Sequence, residues 1–530
     1  MKRDSILTAV AVEGLIAEGH AIVIFEDYVL QLDSWLEKHP GGRLAILHMV
    51  GKDATDEIKA YHRPATWKRM KAFRIGRKPV GIWINRTPPI RGGIYQKQGT
   101  GGVPPAIPHG DPASSKIKPA EPDFNGPPAA AKVAGDAAAF VDWAESQEIH
   151  RDIAGYPSLD PAVQKDIAQK YRKLHQRLHD EGFYDCPYLE YAKEMARYTT
   201  LFTLSMVTLR YEWYMTSAVF LGLFWHQIMF TAHDAAHGAI TGSFEADSLI
   251  AMFIGDFCCG LSIGWWKSSH NVHHLVTNHP EHDPDIQNVP LFATSPSFFR
   301  GIHSSYYDFT FAWDAVANFM VPYQQYTYYP VMCLARFNLY ILSWLHVLSA
   351  KSASLGSSKA WWIRPVEMVF MSCYWYLFGY LLVWRSLPTW TIRVAFVLLS
   401  HVVTMPLHVQ ITLSHWGMST SELGESESFA QRQLRTTMDV DCPAWLDFVH
   451  GGLQFQAVHH LFPRVPRHNL RRLQALVREF CESTGIPYTV LGFAEGNTKV
   501  LGRLGEVGQQ VKHLVECQKF MAVTGTSGLH

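Results

Sequence analysis

The sequence predicts a mainly α protein, with a small α+β soluble domain followed by an α-helical integral-membrane domain. Three observations carry this. Long apolar runs fill the middle of the chain while both ends are polar. Near the N-terminus a β-branched and aromatic run, Ala21–Leu30, precedes short helical patterns. Seven histidines stand in three clusters next to the apolar runs: His233 and His237 in HDAAH, His270, His273 and His274 in HNVHH, and His459 and His460 in QAVHH. Spacings of i, i+3 and i+4 put each set on one face of a helix.

The 530 residues are enough for two to four domains. Hydrophobic residues make up 48% and aromatics 13%, including 17 Trp and 22 Tyr, a load that suits anchoring at a lipid bilayer. The formal net charge is zero, which gives no reason to expect nucleic acid as a partner. Eight scattered cysteines form no CxxC pair and read as reduced packing residues.

In chain order, residues 5–80 read as the small soluble domain. Residues 81–140, with GGVPP, PHGDP and NGPPAAA, carry few large apolar side chains and read as a flexible linker. Residues 141–196 read as a charged helical segment, with Asp160-Pro161 as N-cap and first-turn proline. Residues 197–480 form the membrane domain. Tyr198–Leu209 and Tyr214–Thr231 predict a hairpin, although the first is short against the roughly 20 residues a span needs. Leu249–Gly264 lies between two histidine clusters that must share a side, so it reads as re-entrant or interfacial. Val366–Trp384 and Ala395–Leu413 are the best spans. An even number of crossings then separates the second cluster from the third, and all three face one side. Lys267, Arg464, Arg467, Arg471 and Arg472 read as a positive flank marking that side as cytosolic, with a second reading as lipid-headgroup contacts. Residues 481–530 read as a cytosolic tail.

Seven imidazoles can surround more than one transition-metal ion; they suit iron, copper, nickel or zinc, not magnesium or calcium. Asp234, Asp283 and Asp285 are placed to orient ligating imidazoles through their other nitrogen. In the soluble domain, His39 opens HPGG, and His62 follows after a helical stretch. Two such loop histidines are either structural or a pair that grips a haem iron from both faces. A metal transporter with histidines along its path is a further reading. It predicts histidines inside the spanning helices and leaves HPGG without a role.

The stretch DSWLEKHPGG…GKDATDEIKAYH resembles a cytochrome b5 haem domain over residues 5–80. The resemblance implies haem b with His39 and His62 as axial ligands and His48 as a packing or surface residue. The three clusters resemble the histidine boxes HxxxH, HxxHH and QxxHH of membrane fatty acyl and sphingolipid desaturases over roughly residues 197–480. That likeness implies two iron ions held by the seven box histidines, with Gln456 ligating directly or through water. It also implies a histidine at the end of the last span, for which His415 fits best and His401 and His408 are rivals; His226 is a lesser candidate. KSSHNVHHLVTNHPEHDPDIQNVPLFA and FQAVHHLFPRVPRHNLRRLQ resemble fungal sphingolipid Δ8-desaturases. This implies a ceramide or sphingolipid substrate, O2, NADH-cytochrome b5 reductase as electron donor, and an endoplasmic reticulum membrane location with haem domain and boxes facing the cytosol. Front-end fatty acyl desaturation and lipid hydroxylation use the same di-iron chemistry and stay open as alternatives.

Overall fold

The computed structural model describes residues 3–97, 137–349 and 360–524. The predicted strand Ala21–Leu30 is a hairpin instead. Glu26-Asp27 interrupts the apolar run, Glu26 takes φ 57°, and β1 (Ile22–Phe25) turns back on β2 (Tyr28–Gln31). Strand β3 (Arg74–Arg77) pairs with β2 to complete a three-stranded antiparallel sheet. Val12, Ile22, Ile24, Phe25, Val29 and Leu30 bury the apolar face. Helices Arg43–Leu47 and Thr55–Tyr61 lead out of and into the two histidine positions.

Part of the predicted linker is an ordered strap. Trp83 Nε1 donates to Gly51 O (3.0 Å), and Asn85 Nδ2 donates to Glu425 O (3.0 Å). Arg91 pairs with Glu422 (2.8 Å) and Glu425 (3.1 Å) in the membrane body. Composition hid this strap because Trp83, Asn85 and Arg91 find their partners outside the segment. The Pro/Gly/Ala-rich stretch 98–136 lies outside the described residues.

Helix Pro161–Asp180 starts as predicted: Asp160 accepts Ala162 N–H at 2.8 Å, satisfying one open donor of the first turn. The predicted hairpin forms from Tyr188–Arg210 and Tyr214–Ala236, turning at Glu212 with φ 65°. Ser205 and Ser217 exchange hydrogen bonds across it, which satisfies their hydroxyls inside the bundle.

Among the described residues three helices are long and apolar enough to cross a membrane: Tyr214–Ala236, Ile363–Ser386 and Trp390–Leu413. This marks the chain as a membrane protein. Two bent pairs raise the number of spans to five if each is one span. One is Phe244–Cys258 with Ile263–Leu275, bent by 115° where a re-entrant segment was expected. The other, Ala315–Met332 with Ala335–Leu348, was not expected, because Pro330 and Arg336 break its apolar run. Val369, Tyr376 and Trp384 on Ile363–Ser386 are exposed, as a face turned to lipid requires.

The predicted C-terminal tail is likewise packed. Helix Phe493–Thr524 buries Val500, Leu504, Val507 and Val511 against Val321, Tyr328 and Leu413. Their three- and four-residue spacing is one helix face.

Candidate metal centre

The three histidine boxes converge from separate helix ends. His233 and His237 close helix Tyr214–Ala236, with His237 as its C-cap. His270, His273 and His274 lie on Ile263–Leu275, whose first turn is capped by Ser262 accepting Trp265 N–H (2.9 Å). His459 and His460 lie on Gln456–Leu461, where buried Asp439 accepts Ala457 N–H at 2.7 Å. Burial pushes the Asp439 carboxyl up to about 6.

Among the described residues these helices form two all-histidine groups. His233, His237, His270 and His459 make one; His273, His415 and His460 make the other, with ligand nitrogens in each within 4.8 Å of one another. Metal–nitrogen bonds of about 2.1 Å place two nitrogens on one ion at most about 4.2 Å apart, so small ring rotations close either group. His274 stands between the groups, 5.0 Å from His237 and 4.0 Å from His460 by ring centres. The buried Nε2 atoms of His237, His459 and His460, and Nδ1 of His274 and His415, have no hydrogen-bond partner. Orphaned imidazole nitrogens facing one another fit metal ligation and little else, since a buried polar atom left unpaired costs about 1–3 kcal/mol.

Second nitrogens orient several rings. His273 Nδ1 donates to Asp283 at 2.8 Å, and His460 Nδ1 donates to Gln433 Oε1 at 2.8 Å. Asp285 is farther from His273, at 3.7 Å. Asp234 holds two sets of partners: one carboxylate oxygen lies 3.5 Å from His233 Nδ1, while the other pairs with Arg467 and accepts the Tyr191 hydroxyl, both at 2.5 Å. Arg467 also pairs with Glu194. Of the residues read as a charged flank, Arg464 and Arg467 are internal, while Lys267 and Arg471 are half-buried and Arg472 is exposed. Arg467 and Arg464 are buried, Arg471 pairs with Asp447 at 2.5 Å, and Arg472 lies over the Phe183 ring.

The structure separates His415 from its rivals. His401 stacks on Phe337 (4.4 Å), His408 lies near Thr404, and His226 packs on Phe230; none joins either group. Gln456 is buried, one helical turn ahead of His459 and His460 and on their face. Sequence reasoning missed Gln433 and Asp439, which carry no motif and act from distant segments.

The two soluble-domain histidines also meet. His39 and His62 ring centres are 5.9 Å apart. His39 Nδ1 donates to Gly42 O (2.9 Å) and His62 Nδ1 to Ile58 O (3.0 Å), which leaves each Nε2 for a metal. Burial pushes both imidazoles down, His62 to about 3, and so keeps the neutral, ligating form. Gly42 takes φ 86°, and a Cβ on Gly41 would stand 2.9 Å from the His39 ring. These two positions explain the HPGG glycines. This pair faces the metal centre. Tyr61, beside His62, meets the His274 ring edge-on at 5.9 Å, and Arg63 donates to Gly238 O at 3.3 Å. His48 is fully buried against His282 (5.2 Å), a packing residue at the seam.

Known proteins share both halves of this arrangement. Residues 212–492 match the fatty acid desaturase family, and residues 11–78 match the cytochrome b5-like heme/steroid binding domain. The chain belongs to the fatty acid desaturase family. A protein of Emericella nidulans named Delta 8-(E)-sphingolipid desaturase is 50% identical, covering 100% of this chain and 99% of its own length. A protein of the same name from Kluyveromyces lactis is 45% identical over 96% of this chain and 94% of its own. An Arabidopsis thaliana protein named Delta(8)-fatty-acid desaturase 2 is 28% identical over 93% of this chain and 91% of its own. The cytochrome b5-like segment implies haem, the desaturase family is di-iron, and the two histidine groups of this desaturase fit two ions.

Proposed function

We propose that the chain is a Δ8 sphingolipid desaturase, which takes two hydrogens from carbons 8 and 9 of the long-chain base of a ceramide and leaves a trans double bond. The balance is R–CH2–CH2–R′ + O2 + 2 e⁻ + 2 H⁺ → R–CH=CH–R′ + 2 H2O. The observation that carries the chemistry is the pair of histidine groups with a haem-type histidine pair one tyrosine away.

When bound, the two irons supply the oxygen reduction and hydrogen abstraction that no side chain can perform. His233, His237, His270 and His459 would hold one ion and His273, His415 and His460 the other, with His274 between them and Gln456 as a ligand directly or through water. Asp283 and Gln433 keep the proton on Nδ1 of His273 and His460 and so aim each Nε2 lone pair at the metal. His39 and His62 would hold haem b, which supplies one-electron transfer, with NADH-cytochrome b5 reductase as the electron donor. We place the protein in the endoplasmic reticulum membrane with both sites on the cytosolic side, where NADH is supplied.

The long-chain base as substrate is supported by the names of relatives that are 41–50% identical over nearly the whole chain. Fatty acyl desaturation is the second reading, favoured by the printed names of the plant relatives. Expression in a host whose long-chain bases are saturated at carbon 8 separates the two. Lipid analysis should find a new Δ8 double bond in the bases and unchanged acyl chains. A new double bond in acyl chains alone would establish the second reading.

A further inference from the structure

At the seam between the haem domain and the membrane body, one cluster holds five buried polar groups with atoms that have no hydrogen-bond partner among the described residues. They are Trp67 Nε1, His175 Nε2, His179 Nε2, the Tyr184 hydroxyl and Arg464 Nη1. They form one group drawn from three parts of the chain. His175 and His179 ring centres are 4.9 Å apart, and His179 stacks on Tyr184 at 4.2 Å. Trp67, from the haem domain, lies 6.0 and 6.1 Å from the two histidines. Arg464, four residues past His460, lies over Tyr184 at 5.6 Å.

Each unmatched group costs about 1–3 kcal/mol on burial, so five in one place imply a missing partner. The chemistry of that partner follows from the set. A tryptophan, a tyrosine, an arginine and two imidazoles with a free Nε2 can all present N–H or O–H. Arg464 is 7% exposed, and among the described residues no carboxylate forms an ion pair with it. A buried cation without a counter-ion, ringed by donors, calls for an anion.

We propose that these five groups bind a carboxylate, and that this carboxylate is a propionate of the haem held between His39 and His62. Placement favours that source over a phosphate. Trp67 lies five residues beyond His62, on the helix Pro64–Met70 that follows it. The Arg464 guanidinium is itself pushed down to about 10 by burial, as an unpaired buried cation should be. The membrane domain would then clamp the cofactor of the soluble domain and fix its orientation toward His274. The proposal rests on haem occupying the His39–His62 pair, which the Soret band of the unsubstituted protein checks separately.

The test uses the full chain carrying either haem b or its propionate dimethyl ester, and compares Arg464→Gln with the unsubstituted protein. With haem b, Arg464→Gln should speed haem loss on the order of tenfold, the worth of one charge-assisted hydrogen bond, and lower the haem potential. His179→Gln should do the same to a smaller degree. With the dimethyl ester, variant and parent should coincide, because the carboxylate is gone. Iron content and melting temperature report whether each variant folds. An equal effect of Arg464→Gln with both haems, or none with either, would overturn the proposal. So would inorganic phosphate raising the melting temperature of the haem-loaded parent but not of Arg464→Gln, which would give the site to a phosphate.

Discussion

His415 stands two residues past the end of helix Met405–Leu413, where its ring lies 4.6 Å from His273 and 4.8 Å from His460. His408 is one heptad earlier on nearly the same face but belongs to neither group. His415→Ala should therefore lower bound iron from two to about one per chain while the haem spectrum stays intact; His408→Gln should keep both irons. Metal analysis with visible spectroscopy reads both. Asp283 acts one step removed, through Nδ1 of His273. Asp283→Asn should weaken iron binding about 10- to 100-fold, the usual loss when a residue orienting a ligand is removed, measured by chelator competition. At this scale the sequence was informative where a motif existed. Box spacing on helices exposed all seven histidines, and HPGG exposed His39. Gln433 and the Asp234–Arg467–Glu194 cluster carry no spacing signal, because their partners lie more than 25 residues away. The arginines looked like a charged flank because sequence cannot tell a solvated guanidinium from a buried, paired one.

Segments make the seam between the domains. Lys52 meets Glu425 at 2.7 Å with both side chains 10% exposed, and Arg91 meets the same carboxylate at 3.1 Å. Arg172 of the pre-membrane helix grips Asp56 at 2.5 Å, in the first turn of the helix that ends at His62. The enclosed pairs on Glu425 are costly to break from one side, about 3–5 kcal/mol, because the remaining charge is stranded. Glu425→Lys should undock the haem domain and slow reoxidation of reduced haem more than about tenfold, with the haem spectrum and iron content unchanged; stopped-flow absorbance checks this. The helix Tyr214–Ala236 and the two late spans were legible because lipid imposes length and apolarity on them. The strap 82–95 and the helix Phe493–Thr524 were not. Each finds its partners in segments distant in sequence, such as Glu422 and Glu425 for the strap and Val321 and Tyr328 for the helix, so composition read both as loose.

The whole molecule joins two cofactor sites that separate proteins would have to bring together by diffusion. Tethering alone raises the local concentration of the donor. Here the seam goes further and sets Tyr61 between His62 and His274. The fold class and the histidines of both candidate metal sites were readable from sequence, while the docked arrangement was not, because it depends on contacts between segments that share no motif. The proposed reaction makes a demand that isotopes can check. The full chain, loaded with haem and iron and supplied with NADH and the reductase, is given ceramide deuterated at carbons 8 and 9 of the base, under labelled O2. The product should have lost one deuterium from each carbon and carry no label from O2. Oxygen label retained in the lipid, or both carbons still fully deuterated, would contradict desaturation at this position.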